Sequence, residues 1–215
     1  MPIRDEQKQQ THQALINAVL SLSQQGRNFS SMSLREVTAE VNLAPATFYR
    51  HFANMDELAL ELIDHLGLYL KNTFAQICRI ALVDPRDHNA RLDYLFASIA
   101  EKPDFWGFFI HERSSGSPRI RQAIKREFDH LVEDMANTMS KIPDFQHIQN
   151  LQDMLMFSEM FGHFCFCWAL EWLDLQHDLD VEQRIQQQQR LQQKALIQLE
   201  LIYHSICQFP LKELP

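Results

Sequence analysis

Within five positions of the chain, Thr47, Tyr49, Arg50 and His51 supply two hydroxyls, a guanidinium and an imidazole. These are donors suited to phosphate oxygens, and Arg50 has a second option in pairing with a guanine edge. Pro45 and Ala46, just ahead of them, can touch a thymine methyl. Arg35, in the preceding segment, adds a donor for a phosphate or a base. The set fits a surface that reads nucleic acid; by spacing alone it also fits the exposed face of an ordinary helical hairpin.

The elements that must position these groups are legible. A first helix over about 5–25 is predicted by Ala14, Leu15, Ala18, Val19 and Leu22 at helical spacing, with Gly26 at its end. Ser33-Leu34-Arg35-Glu36 is a capping box, so a second helix begins there and runs through Val37 and Val41. Asn42-Leu43-Ala44 forms the turn. Pro45 suits the first position of a third helix, where its missing N–H costs nothing, and that helix covers Ala46 to His51. Asn54 with Glu57 caps a long fourth helix reaching about Cys78. Val37, Val41, Leu43, Phe48 and Phe52 are the apolar anchors. Residues 33–52 thus read as a helix-turn-helix whose second helix enters a major groove, within a DNA-binding domain expected at 1–53.

The net charge of −8 is unevenly distributed. Residues 1–52 hold five Lys/Arg and four Asp/Glu, while 53–215 hold 15 and 24. A near-neutral head on an acidic body can bind phosphates locally while the body discourages unspecific adhesion. Five scattered glycines form none of the clusters that cradle nucleotides. Neither a Gly-x-Ser-x-Gly elbow nor a His-Glu-x-x-His motif nor a persuasive acid pair is present, so no catalytic residues are assigned and an enzyme is not expected. His163, Cys165 and Cys167 lie two apart on a helical pattern and point in nearly opposite directions, so no metal and no cofactor is called for. The four cysteines fit reduced core thiols. No secretory signal is visible, and Met154 to Leu173 is interrupted by Glu159, His163 and Glu171, against a membrane span. A cytoplasmic protein is expected.

Helical periodicity continues to the C-terminus, so the fold class is all-α, with a larger helical ligand-binding and dimerisation domain over 54–215. Further helices are predicted near 88–101, 104–113, 118–140, 145–175 and 180–208. The run Gln186 to Gln189 reads as a solvated helix face.

Ser33-Leu34-Arg35-Glu36-Val37, then Leu43-Ala44-Pro45-Ala46-Thr47-Phe48-Tyr49-Arg50-His51-Phe52 and Asp56-Glu57-Leu58, resembles the DNA-binding signature of TetR-family regulators. Within that family the runs are most similar to repressors of unsaturated fatty acid synthesis of the FabR and DesT type, with a weaker similarity through His111-Glu112-Arg113-Ser114-Ser115-Gly116. The resemblance implies that Tyr49 and His51 meet phosphates, Thr47 a phosphate or base, and Arg35 and Ala46 the groove. Many members carry a lysine just before the fourth helix, where this chain has Met55.

A single short recognition helix reads few base pairs, so a homodimer on a palindromic, double-stranded operator is expected, with half-sites about 34 Å apart or a multiple of that. The segment 151–173 is apolar nearly all round, with Ser158, Gly162, Cys165 and Ala169 as a stripe of small residues. The last helix adds Ile185, Ala195, Leu196, Leu199, Ile202, Tyr203 and Ile206. The resemblance implies that these two helices build a four-helix dimer bundle; an ordinary monomer core is the other reading.

For an effector, Trp106, Phe109, Met160, Phe164 and Trp168 are candidate apolar lining, although any buried helix shows such residues. Arg113, Arg121 and Lys125, together with Arg119 and Arg126, could hold the phosphates of an acyl-CoA, or form a solvated helix face. The resemblance implies a long-chain acyl thioester, acyl-CoA or acyl-ACP, as effector. Another hydrophobic molecule such as a drug remains an alternative, as does, from a different class, a helical lipid carrier or enzyme.

Overall fold

The capping box forms as its residues dictate: Ser33 Oγ accepts the Glu36 N–H at 3.2 Å, and Glu36 Oε2 accepts the Ser33 N–H at 2.8 Å. Equivalent side-chain caps at Asp87, Asn150 and Asp180 start three later helices. The computed structural model describes residues 2–176 and 180–208. Among these residues there is no strand, and nine α-helices follow one another. They are α1 (Pro2–Gln24), α2 (Leu34–Glu40), α3 (Pro45–Phe48), α4 (Met55–Val83), α5 (His88–Glu101), α6 (Pro103–Ser115), α7 (Pro118–Met139), α8 (Leu151–Asp174) and α9 (Val181–Cys207).

Three boundaries depart from expectation for local reasons. α4 continues past Cys78 because nothing in Arg79 to Val83 breaks a helix, and Pro85 is the first residue that disfavours one before it. α8 begins at Leu151 rather than 145, because Pro143–Phe145 closes a 3-10 turn and Asn150 caps the helix by accepting the Gln152 N–H at 2.9 Å. α3 is regular only to Phe48; its last turn continues irregularly through His51, whose N–H reaches Phe48 O at 2.9 Å.

Packing divides the chain into two units: Met1–Leu68 with Asp104–Glu127, and Tyr69–Pro103 with Phe128–Pro215. The boundary expected at residue 53 falls inside the first unit, since residues 55–68 of α4 share a core with α1 to α3. Leu15, Val19, Val37, Phe48, Leu58 and Leu62 are all buried there, each large side chain contributing roughly 1.5–3 kcal/mol. Trp106, Phe108 and Phe109 of α6 are also buried in this unit, with Phe108 edge-on to Phe29 at 6.2 Å. Glu112, one turn on and 1% exposed, accepts the Phe29 N–H at 2.8 Å. This bond fixes the connection between α1 and α2 to α6.

The second unit packs α5, α8 and α9 on one another. The small-residue stripe on α8 turns toward its own core, since a Cβ on Gly162 would lie 3.0 Å from the Phe128 ring. None of the described helices is long and apolar enough to cross a membrane.

Candidate functional site

The turn between α2 and α3 is set by backbone chemistry that asparagine supports. Asn42 takes φ 53°, the left-handed region where Asn is tolerated, and this lets two N–H groups fold back onto the end of α2. Leu43 donates to Thr38 O at 2.8 Å and Asn42 to Ala39 O at 3.0 Å. Ala44 is extended, and Pro45 then opens α3. Around this turn α2 is held by Arg27, 2.8 Å from Glu36 Oε1, and by Ser21 Oγ donating to Glu40 at 2.7 Å.

Phe48 is fully buried and Phe52 nearly so, with ring centroids 5.6 Å apart. They pin α3 from beneath. Tyr49 is then left 65% exposed, and Arg35, Pro45, Ala46 and Arg50 are exposed with it, while Thr47 and His51 are half-buried. His12 stacks on Phe52 at 4.4 Å and places its Nε2 2.6 Å from Glu61 Oε1, tying α1 to α4 beside the recognition segment. His51 Nδ1 has no hydrogen-bond partner among the described residues. Burial first, then the positive neighbours His12, Lys8 and Arg50, pull its pKa below the ordinary 6.5. The segment therefore presents donors on a buried aromatic base, and one of them, His51, is held toward its neutral form.

The eight residues expected at an effector site are divided between the two units. Trp106, Phe109, Arg113, Arg121 and Lys125 belong to the first unit; Met160, Phe164 and Trp168 belong to the second. Trp106 and Phe109 are core. The basic residues of α7 are engaged with α4 and with their own helix. Arg119 lies 3.3 Å from Asp56, and Arg126 lies 3.5 Å from Asp64 and 3.2 Å from Glu127. Arg121 donates to Gly116 O at 2.6 Å. Met160 and Phe164 flank a shallow open groove on the outer face of α8, while Trp168 is buried, its indole N–H donating to Gln198 at 2.7 Å.

The second unit contains a partly open apolar cavity of about 30 Å³, lined by Ile77, Met139, Phe161, Ile206, Arg91 and Tyr203 among others. Ile202, Tyr203 and Ile206, expected in either a dimer bundle or a monomer core, all line it. Arg91, only 7% exposed, is the cavity's cationic neighbour; its Nη2 donates to Pro85 O at 2.7 Å and contacts His88 Nδ1, and its guanidinium lies 5.9 Å from the Tyr203 ring centre. Burial, and then Arg91, push the His88 pKa down, which favours a neutral imidazole. Tyr203 donates its hydroxyl to Asp144, and its phenol pKa is pushed up beyond the ordinary range by burial and that bond. Sequence reasoning missed Arg91, although a signal was present: it falls at i+3 from His88 and i−1 and i−4 from Leu92 and Leu95, on the buried stripe of α5.

Residues 22–62 match the family described as bacterial regulatory proteins, tetR family. An uncharacterized HTH-type transcriptional regulator from Haemophilus influenzae is 34% identical over 138 residues, 64% of this chain and 67% of the relative. The chain belongs to the TetR family. It is a DNA-binding transcriptional regulator. Its TetR fold is shared with a TetR-family regulator from Syntrophomonas wolfei (TM-score 0.64, 14% identity, covering 96% of this chain and 99% of that one). A FadR regulator from Bacillus subtilis, in complex with stearoyl-CoA, also shares it (TM-score 0.56, 11% identity, 91% and 97% covered).

Proposed function

We propose that this TetR-family chain is a cytoplasmic homodimeric repressor that binds a palindromic operator through Arg35, Pro45, Ala46, Thr47, Tyr49, Arg50 and His51. Its effector would be a long-chain acyl thioester, and the genes it controls those of fatty acid synthesis or desaturation. The observation that carries the DNA reading is the exposed Tyr49 on a fully buried Phe48, inside a turn closed by its own backbone. A hydroxyl and a guanidinium so fixed lose little freedom on meeting phosphates.

Dimerisation is supported by apolar side chains left exposed on two adjacent helices: Leu151, Met156 and Met160 on α8, and Ile185, Ile197 and Leu201 on α9. The acyl reading is supported by the sequence resemblance to the fatty acid repressors, by the apolar cavity, and by the shared fold of a regulator that holds stearoyl-CoA. A cavity of about 30 Å³ is far smaller than the several hundred typical of ligand sites, so an occupant must push the lining helices apart. Ile77, Cys78 and Ala81 of the lining lie on α4, the helix that follows the recognition segment in the chain. Occupancy would therefore favour a different setting of α4, and differential affinity for the two settings is what couples effector to operator.

The test is a footprint on the DNA upstream of the gene, with a Tyr49→Phe, His51→Ala variant beside the natural protein. Loss of protection in the variant is expected; full affinity at moderate salt would overturn the DNA reading. Operator binding that ignores both saturated and unsaturated acyl-CoA would overturn the acyl reading alone.

A further inference from the structure

We propose that Arg91 anchors the acidic head of an amphiphilic effector whose apolar tail enters the cavity of the second unit. The proposal rests on the effector-binding reading above and adds the chemistry of the head group.

Arg91 is 7% exposed, and a guanidinium stays charged even where burial lowers its pKa. No carboxylate lies within ion-pair distance of it among the described residues. Its contacts are two backbone carbonyls, Pro85 O at 2.7 Å and Asp87 O at 3.4 Å, with His88 Nδ1 and the Tyr203 ring. Nη1 has no acceptor among the described residues. The carboxylates that act on Arg91, Asp87 and Asp84, do so from beyond ion-pair distance, so a carboxylate or phosphate that reached Nη1 would gain a charge-assisted hydrogen bond.

The surroundings fit that role at both ends. Inward, the lining is aliphatic and aromatic and accepts only an apolar tail. Outward, Tyr203 also lines an open groove of about 750 Å³ that includes Arg86, His88 and His204, with Asp144 and Glu200 as its acids. The His88 and Tyr203 rings meet edge-on at 5.0 Å. Together with Arg91 they stand where the open groove meets the apolar cavity, Tyr203 lining both. An amphiphile would pass this point tail first and stop where its charge meets Arg91. A carboxylic acid and the phosphates of an acyl-CoA share this chemistry; a neutral alcohol of equal length does not.

The test is calorimetric titration of the DNA-free, full-length protein with oleate, oleoyl-CoA and oleyl alcohol. At least one of the two acidic probes is expected to bind about tenfold or more tightly than the alcohol, as a charged hydrogen bond allows. Arg91→Met should erase that ratio and Arg91→Lys restore part of it. Loss of a merely structural bond to Pro85 would weaken all three probes alike and leave the ratio intact, which would overturn the proposal. A ratio near one in the natural protein would overturn it too, whether or not the variants fold. If none of the three binds, the anchor and the acyl reading both fall, while the operator footprint still decides the DNA reading by itself.

Discussion

The recognition segment and the cavity of the second unit, the proposed effector site, solve opposite problems. Residues 33–52 must hold polar groups outward, and nearly every bond that does so spans nine residues or fewer: the capping box, the closing bonds from Asn42 and Leu43, Arg27 on Glu36, and the Phe48–Phe52 pair. The cavity must hold apolar groups inward, and its lining is gathered from α4, α5, α7, α8 and α9, up to 129 positions apart, from Ile77 to Ile206. A surface that reads a fixed DNA shape gains from rigidity. A site that must open for an occupant gains from having many separately movable walls. The same chain thus pairs a tightly specified recognition segment with a second unit whose packing is incomplete.

The strongest way to break this contrast is Phe48→Ala. Removing a fully buried ring beneath the recognition segment should cost about 3–5 kcal/mol in denaturant titration and abolish operator binding. A variant that unfolds normally yet still reads DNA would show that the rigid base is not what presents Tyr49. The reverse experiment belongs to the cavity. Ala81→Val adds volume where space is unfilled, so it should raise stability by about 1 kcal/mol while blunting the effector's influence on operator affinity. Destabilisation instead would mean that the walls are already packed.

Smaller still is the effect expected on the basic face of α7. Arg121 and Lys125 are exposed, and charges in that setting contribute little. Replacing both with Ala should weaken oleoyl-CoA binding by about 0.5 kcal/mol, a two- to threefold change, and leave oleate untouched. A large loss for oleoyl-CoA would move the CoA phosphates to this face and away from Arg91.

The same contrast explains how much could be read from the sequence. The all-helical class, the cap at Ser33, the turn at Asn42 and the start of α3 were legible because each is decided by residues within a few positions of one another. The cavity was not, because Cys78, Arg91, Met139 and Tyr203 carry no mutual spacing and meet only when α5 and α9 pack. Trp106 and Phe109 fill a core, as expected from sequence for most of the aromatic residues, and the cavity of the second unit is lined mainly by Ile, Met and Phe side chains of the kind any helix buries. For two members of the basic cluster, Arg119 and Arg126, the acidic partners Asp56 and Asp64 lie on α4, more than sixty residues away, so the sequence displays these cations without the charges that answer them.

The smallest effect expected is on pH, and its sign separates the two regions. His51 has its pKa lowered in the DNA-free protein by burial and by His12, Lys8 and Arg50. A group of this kind contributes stability that is fully present above the ordinary value of 6.5 and is lost as pH falls below it, because the unfolded chain takes up the proton first. His88, lowered by burial and Arg91, acts in the same direction. On the operator a phosphate beside His51 favours the imidazolium, so binding takes up a proton, and affinity should rise as pH is lowered through the same window, by at most one logarithm per pH unit per subunit. Acidification should thus loosen the fold while tightening the DNA complex. His51→Gln should flatten the affinity profile measured by fluorescence anisotropy while the stability profile keeps the part due to His88. An operator affinity that weakens as pH is lowered in the natural protein, or a profile that His51→Gln leaves unchanged, would remove His51 from the phosphate contact and leave Tyr49 and Arg50 to carry it.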